Sequence, residues 1–230
     1  MLDAVATRRS PAPTSPLGLS IAPMVLSSAV TDTLRNLIFA GELQPGERLI
    51  EAQLAERFGT SRGPIRDAFA DLTNVGLLTS VERRGTFVVR LTPDDIDELY
   101  TLRSALEGLA VERAAPQIGP DDIDRLSVQL DRLDQAQRIG DTVAVGEADM
   151  AFHRTVVSLA RHRRLLEGWE RLGDQTRLLM QELSVVEPWI QAGDHRVILD
   201  ALRRGDGVAA RTALTDHLAG ARRSMIARFS

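Results

Sequence analysis

Residues 49–89 read LIEAQLAERFGTSRGPIRDAFADLTNVGLLTSVERRGTFVV, and the stops and apolar spacings in that stretch decide the fold of the N-terminal part. Positions 51–58 make a short helix that buries Leu54, Ala55 and Phe58 and ends at Gly59. Ser61 then caps a further helix, whose first turn tolerates Pro64 because the N–H is not needed there. Ile65, Ala68, Leu72 and Val75 fall on one face of that helix. Next, 77–81 and 86–90 are alternating or β-branched runs on either side of Arg83, Arg84 and Gly85, a hairpin signal. Upstream, Val30, Leu34, Leu37 and Ile38 recur at helical spacing until Gly41, and Gln44 to Glu47 form a turn. Three helices followed by a small hairpin predict a winged helix-turn-helix over 27–90.

In that arrangement the second helix of the pair enters the DNA major groove with its N-terminal residues foremost. Here they are Thr60, Ser61, Arg62, Gly63, Pro64 and Arg66. Arg62 and Arg66 sit one turn apart, away from the apolar stripe, where an arginine can fork onto guanine or phosphate. Gly63 lets the backbone come close, and a helix N-terminus favours an anion. Arg83, Arg84 and Gly85 at the wing tip can reach the neighbouring minor groove or backbone. Residues 27–90 carry eight Arg against eight Asp or Glu, so phosphate binding must come from local placement and not from bulk charge. One small head offers too few contacts for genomic specificity, so a symmetric homodimer on a short pseudo-palindrome is expected.

The rest of the 230-residue chain reads as a tail and a helical domain. Residues 1–26, with Pro11, Pro13, Pro16 and Pro23 among small and polar residues, are expected to be a disordered tail. No continuous apolar run suggests a secretion signal or a membrane span, and a cytoplasmic protein is expected. Cysteine is absent, which excludes disulfides and thiolate chemistry. After a hinge at 91–94, helical periodicity runs over 94–115, 121–138, 142–160, 163–183, 188–204 and 208–228. The expected fold is therefore mostly α: the winged head plus an all-α, six-helix antiparallel bundle over 91–230, large enough for an internal cavity.

Three of the four histidines fall on apolar faces in that bundle. Asp149 and His153 are one helical turn apart beside Ala148, Phe152, Val156 and Leu159. His195 shares a face with Ile198, Leu199 and Leu202, and His217 with Leu214 and Ala221. A single histidine on such a face is usually a hydrogen-bonded core residue, but three on three helices beside an inward Asp point to a metal. Imidazole and carboxylate suit a divalent ion, zinc first, with nickel, manganese or iron as alternatives. His162 faces the other way and reads as a helix-end residue.

The stretches LIFAGELQPG (37–46), EAQLAERFGTSRGPIRDA (51–68) and GTFV (85–88) resemble the head of the GntR family of bacterial regulators. Thr60 stands where that family usually has an aliphatic residue, and Gly63 where Thr is common. The resemblance implies that Ser61, Arg62, Pro64, Arg66 and Gly85 occupy the family's DNA-contact motif. The pattern Asp149-x-x-x-His153, His195, His217 resembles the all-helical effector (FCD) domain of the family's FadR branch, and six helices resemble its shorter, VanR-like form. That resemblance implies a divalent metal whose coordination is completed by a small carboxylate effector. Arg103 matches a family arginine that can meet the ligand carboxylate, though a salt bridge to Glu107 one turn on accounts for it equally well; Arg177 is a further ligand-binding candidate. The expected function is a ligand-responsive regulator of transcription, a repressor or an activator. A DNA-binding protein with a purely structural metal and a metalloenzyme remain as alternatives, the latter because Asp/His sites also activate water.

Overall fold

A computed structural model of the chain describes residues 22–184 and 192–228. Residues 1–21, most of the expected tail, lie outside the described residues. The first helix, α1 (Ala22–Phe39), starts within the last residues of the expected 1–26 tail, with Pro23 in its first turn, where proline is tolerated.

The head continues with β1 (Arg48–Leu49), α2 (Glu51–Arg57), α3 (Arg62–Asn74), β2 (Leu78–Val81) and β3 (Gly85–Val88). The strands form an antiparallel sheet in the order β1-β3-β2, with Arg48 opposite Phe87, Leu78 opposite Val88, and Val81 opposite Gly85. Strand β1 was not expected, since two residues are too short to show a period of two. Ser61 stands at the N-cap of α3 with extended backbone, but its hydroxyl makes no capping bond; this corrects the expected cap and leaves the hydroxyl free for another acceptor or donor. Leu34, Ile38, Leu54, Ile65, Leu72, Leu78 and Val88 fill the core of the head.

Six long helices follow: α4 (Pro93–Ala114), α5 (Pro120–Ile139), α6 (Thr142–Leu159), α7 (Arg163–Ser184), α8 (Ala192–Arg203) and α9 (Gly207–Ile226). Their starts are written in the sequence. Thr92 and Asp95 form a reciprocal capping box ahead of α4, with Pro93 at its first position. Asp141 and Asp206 accept the Ala144 and Ala209 amides at the starts of α6 and α9. His162 is the helix-end residue expected, its Nδ1 accepting the Leu165 amide. Helix α4 packs along α9 and α6, α5 lies against α6 and α8, and α7 lies against α6 and α4. The bundle core is built on Ile96, Leu126, Leu133, Phe152, Val156, Ile198, Leu202 and Leu214. One residue crosses over: Leu178 of α7 is buried in the core of the head. Among the described residues no helix is long and apolar enough to cross a membrane.

Candidate metal centre and nucleic-acid interface

The apolar face of α6 carries Val145, Ala148, Phe152 and Val156, and Asp149 and His153 lie within that buried surface. Helices α8 and α9 bring His195 and His217 against them. One ligand atom from each of the four side chains lies within 4.8 Å of the others. The Oδ1 of Asp149 is 3.0 Å from His195 Nε2 and 3.7 Å from His153 Nε2. Asp149 is itself buried. The two Nε2 atoms of His153 and His195 face each other at 3.3 Å, and Phe152 packs its ring edge-on to His195 at 5.0 Å. A buried carboxylate and three imidazoles that converge from three helices are a donor set suited to a cation.

The protonation states agree. Burial pushes the Asp149 carboxyl up, but His153, His195 and His217 more than offset this and hold it well below the usual carboxylate range. Burial pushes the His217 imidazole down to about 3, and the neighbouring His195 and His153 push the same way. A neutral imidazole and an ionised carboxylate are the forms that ligate metal.

His153 is held from behind. Its Nδ1 lies 2.5 Å from Glu107 Oε2, so that nitrogen is the one to carry the proton and Nε2 keeps its lone pair for the centre. Glu107 is fully buried, and its Oε1 accepts from Trp169 Nε1 at 2.7 Å and Arg103 Nε at 2.9 Å. Burial raises the Glu107 carboxyl, but Arg103 and His153 outweigh it and bring it down to about 2. Arg103 thus makes the salt bridge to Glu107, yet its Nη2 remains buried without a hydrogen-bond partner. So does the hydroxyl of Tyr100, whose ring lies 5.2 Å from the Arg103 guanidinium.

In the head, Ser61, Arg62, Gly63 and Arg66 are exposed along the start of α3, with Pro64 half-buried among them. Arg62 makes no ion pair among the described residues, whereas Arg66 Nη2 is held 3.1 Å from Glu51 Oε2 at the start of α2. Arg84 and Gly85 are exposed at the wing turn, where Arg83 adopts a left-handed φ of 61°. Arg48 of β1 lays its guanidinium over Gly85, close enough that an added Cβ would meet its Nε at 3.0 Å.

Comparison with known proteins decides the family. Residues 26–88 match the model of "Bacterial regulatory proteins, gntR family", and residues 98–220 match that of the FCD domain. The chain belongs to the GntR family. This GntR-family protein is 34% identical over 195 residues to the "Probable D-xylose utilization operon transcriptional repressor" of Paenarthrobacter nicotinovorans, covering 84% of the chain and 86% of that relative. It is 28% identical to the HTH-type transcriptional regulator McbR of Escherichia coli (strain K12), covering 83% of the chain and 88% of that regulator. The crystal structure of a putative transcriptional regulator GntR from Rhodococcus sp. RHA1 superposes with a TM-score of 0.77 at 28% identity, covering 89% of this chain and 99% of that one. The protein is a DNA-binding transcriptional regulator and not an enzyme, which disposes of the metalloenzyme alternative.

Within this GntR-family regulator two expected site residues lie apart from the groups they were expected to join. Arg177, expected as a ligand-binding residue, lies apart from the four metal-ligand candidates. It is exposed on α7, 3.4 Å from Glu147 and 4.4 Å above the Phe39 ring, and it lines a cavity of about 210 Å³ with Phe39, Val143, Gly146, Met150 and Met180. The cause is helical phase: Trp169, Thr176 and Met180 are the buried face of α7, and a residue directly after Thr176 points about 100° away. Thr60 is the other. Its hydroxyl is enclosed and unpartnered, not presented with Arg62 on the surface. Sequence reasoning noted Glu107 only as a partner for Arg103 and passed over Arg48 and Tyr100. The partner of Glu107 on α6 is 46 residues away, and no periodicity signals such a contact.

Proposed function

We propose that this regulator binds one divalent metal ion through Asp149, His153, His195 and His217, zinc first and nickel, manganese or iron as alternatives, and that a small carboxylate effector bound there sets its affinity for double-stranded operator DNA. The observation that carries this reading is the convergence of one ligand atom from each of Asp149, His153, His195 and His217 within 4.8 Å of one another inside the bundle. When bound, the ion supplies open coordination positions for an oxygen ligand. The chain's own residues do the rest. Glu107 fixes the His153 ring, and Arg103 Nη2 and the Tyr100 hydroxyl are two buried donors left over for a carboxylate.

The head over 27–90 reads the operator with Ser61, Arg62, Gly63, Pro64 and Arg66 in the major groove and Arg84 and Gly85 at the wing. Thr60 supports the start of α3 and makes no direct contact. The domain over 91–230 holds metal and effector and contributes to a homodimer, which works in the cytoplasm on a pseudo-palindromic site. The name of the D-xylose operon relative supports repression as the sense of control.

The test is elemental analysis of purified protein, followed by a thermal-shift screen of small carboxylates against metal-loaded and metal-stripped protein. About one ion per chain, and carboxylates that stabilise only the loaded form, are expected. A chain without metal that still responds to a carboxylate overturns the reading.

A further inference from the structure

Helix α7 belongs to both halves of the molecule. Its N-terminal half carries Trp169, which packs with Ala110, Val157, Ala160 and Leu165 and donates its indole N–H to Glu107 at 2.7 Å. Glu107 in turn holds His153 at 2.5 Å. Further along, α7 grips the head at three points. Asp174 Oδ2 accepts from Arg35 Nε of α1 at 3.1 Å. Gln175 fills the space over Gly76, the turn residue with φ +76° one position past the C-cap of α3, so that any Cβ there would collide with the Gln175 amide. Leu178, 1% exposed, lies in the core of the head beside residues of α1, α3 and the sheet.

We propose that α7 transmits the state of the metal centre to the DNA-reading head, through Glu107 and Trp169 at one end and Asp174, Gln175 and Leu178 at the other. This rests on the reading of the Asp149–His153–His195–His217 cluster as a metal site. A metal ion would draw one carboxylate oxygen and three imidazole nitrogens into a single sphere, and any shift of His153 bears on the Glu107 carboxylate behind it. Trp169 and Leu178 are about 13–14 Å apart along one continuous helix, which is stiff over that length. A shift or rotation at Trp169 is therefore delivered to α1 and to the C-terminal end of α3. The end of α3 is the point that matters, because a small tilt there re-aims Arg62 and Arg66 at the other end of the same helix. The coupling is limited to the difference in metal affinity between the two head positions, and it is reciprocal.

The experiment follows hydrogen exchange of the full chain with and without zinc. In the wild type, zinc is expected to change exchange about fivefold or more in residues 31–41 and 73–79 of the head, which lie outside the metal site. Asp174→Arg, which opposes Arg35 with a like charge, is expected to remove most of that head response while zinc stoichiometry stays the same. The swap Arg35→Asp with Asp174→Arg is expected to restore it. Zinc that binds without any change in the head of the wild type overturns the inference and leaves the metal reading standing. So does an undiminished head response in Asp174→Arg. A wild-type chain that binds no zinc or other divalent ion overturns both.

Discussion

The Oε2 of Glu107, on α4, sits 2.5 Å from the Nδ1 of His153, on α6, with both side chains fully buried. That contact decides which imidazole nitrogen faces the metal centre. It also ties the centre to Arg103 and Trp169, since both donate to the other oxygen of the same carboxylate.

Glu107→Gln should therefore lower metal affinity about 10–100-fold, although Glu107 touches no metal itself. The substitution also leaves the Arg103 guanidinium buried without its counter-charge, at a cost of about 3–5 kcal/mol in stability. Competition against a chromophoric chelator measures the first effect, and urea denaturation the second. Wild-type metal affinity in a folded Glu107→Gln protein would show that His153 orients itself.

Acid should destabilise the metal-free protein early. The folded chain keeps His217 neutral down to about pH 3, whereas the unfolded chain protonates it near 6.5. As pH falls through that interval the unfolded state binds the extra proton, so stability is full above about pH 6.5 and is lost progressively towards pH 3. Asp149 and Glu107 act in the same direction at lower pH, because both carboxyls are held below their ordinary range. Bound metal competes with these protons, so zinc should move the loss of stability to lower pH. Urea midpoints at several pH values, with chelator and with zinc, check this; a metal-free midpoint unchanged from pH 7 to 4 contradicts it.

On DNA the two arginines of α3 should differ. Arg62 is unpaired and exposed, so Arg62→Ala is expected to cost about 1–3 kcal/mol in operator binding without unfolding the head. Arg66 must leave Glu51 first, so Arg66→Ala should cost less, and Glu51→Gln should tighten binding. Fluorescence anisotropy at fixed salt gives all three affinities. Equal binding by Arg62→Ala and the wild type would remove α3 from the major groove.

The helices of the bundle were legible because their ends are punctuated by chemistry that acts locally: Thr92-Pro93, Gly119-Pro120, Gly140-Asp141 and Gly205-Asp206. The four centre residues were legible because polar ligand types on an apolar stripe are costly unless they have a use. What failed to show was every contact made between distant elements. Strand β1 exists only through pairing with β3, and Glu107 meets His153 only when α4 and α6 pack. Arg177 lies apart from the centre because the face of α7 it occupies meets Phe39 of the head. A signal was there: Leu178, Leu179 and Met180 are consecutive apolar residues, and successive positions on a helix point about 100° apart, so one core cannot bury all three.

The last prediction uses that triplet. Leu179 and Met180 are buried in the bundle core while Leu178 is buried in the head, so the two cores share a helix and should unfold as one. Leu178→Ala deletes a fully packed side chain from the head, at a cost of about 2–5 kcal/mol, and leaves the bundle core untouched. The wild type should therefore show a single urea transition. The variant should show two: an early one reported by loss of DNA binding and of amide protection in α1 and α3, and a later one reported by Trp169 fluorescence. A variant that still melts in one transition, at the wild-type midpoint, would mean that Leu178 contributes nothing to the head and that the shared core has no energetic weight.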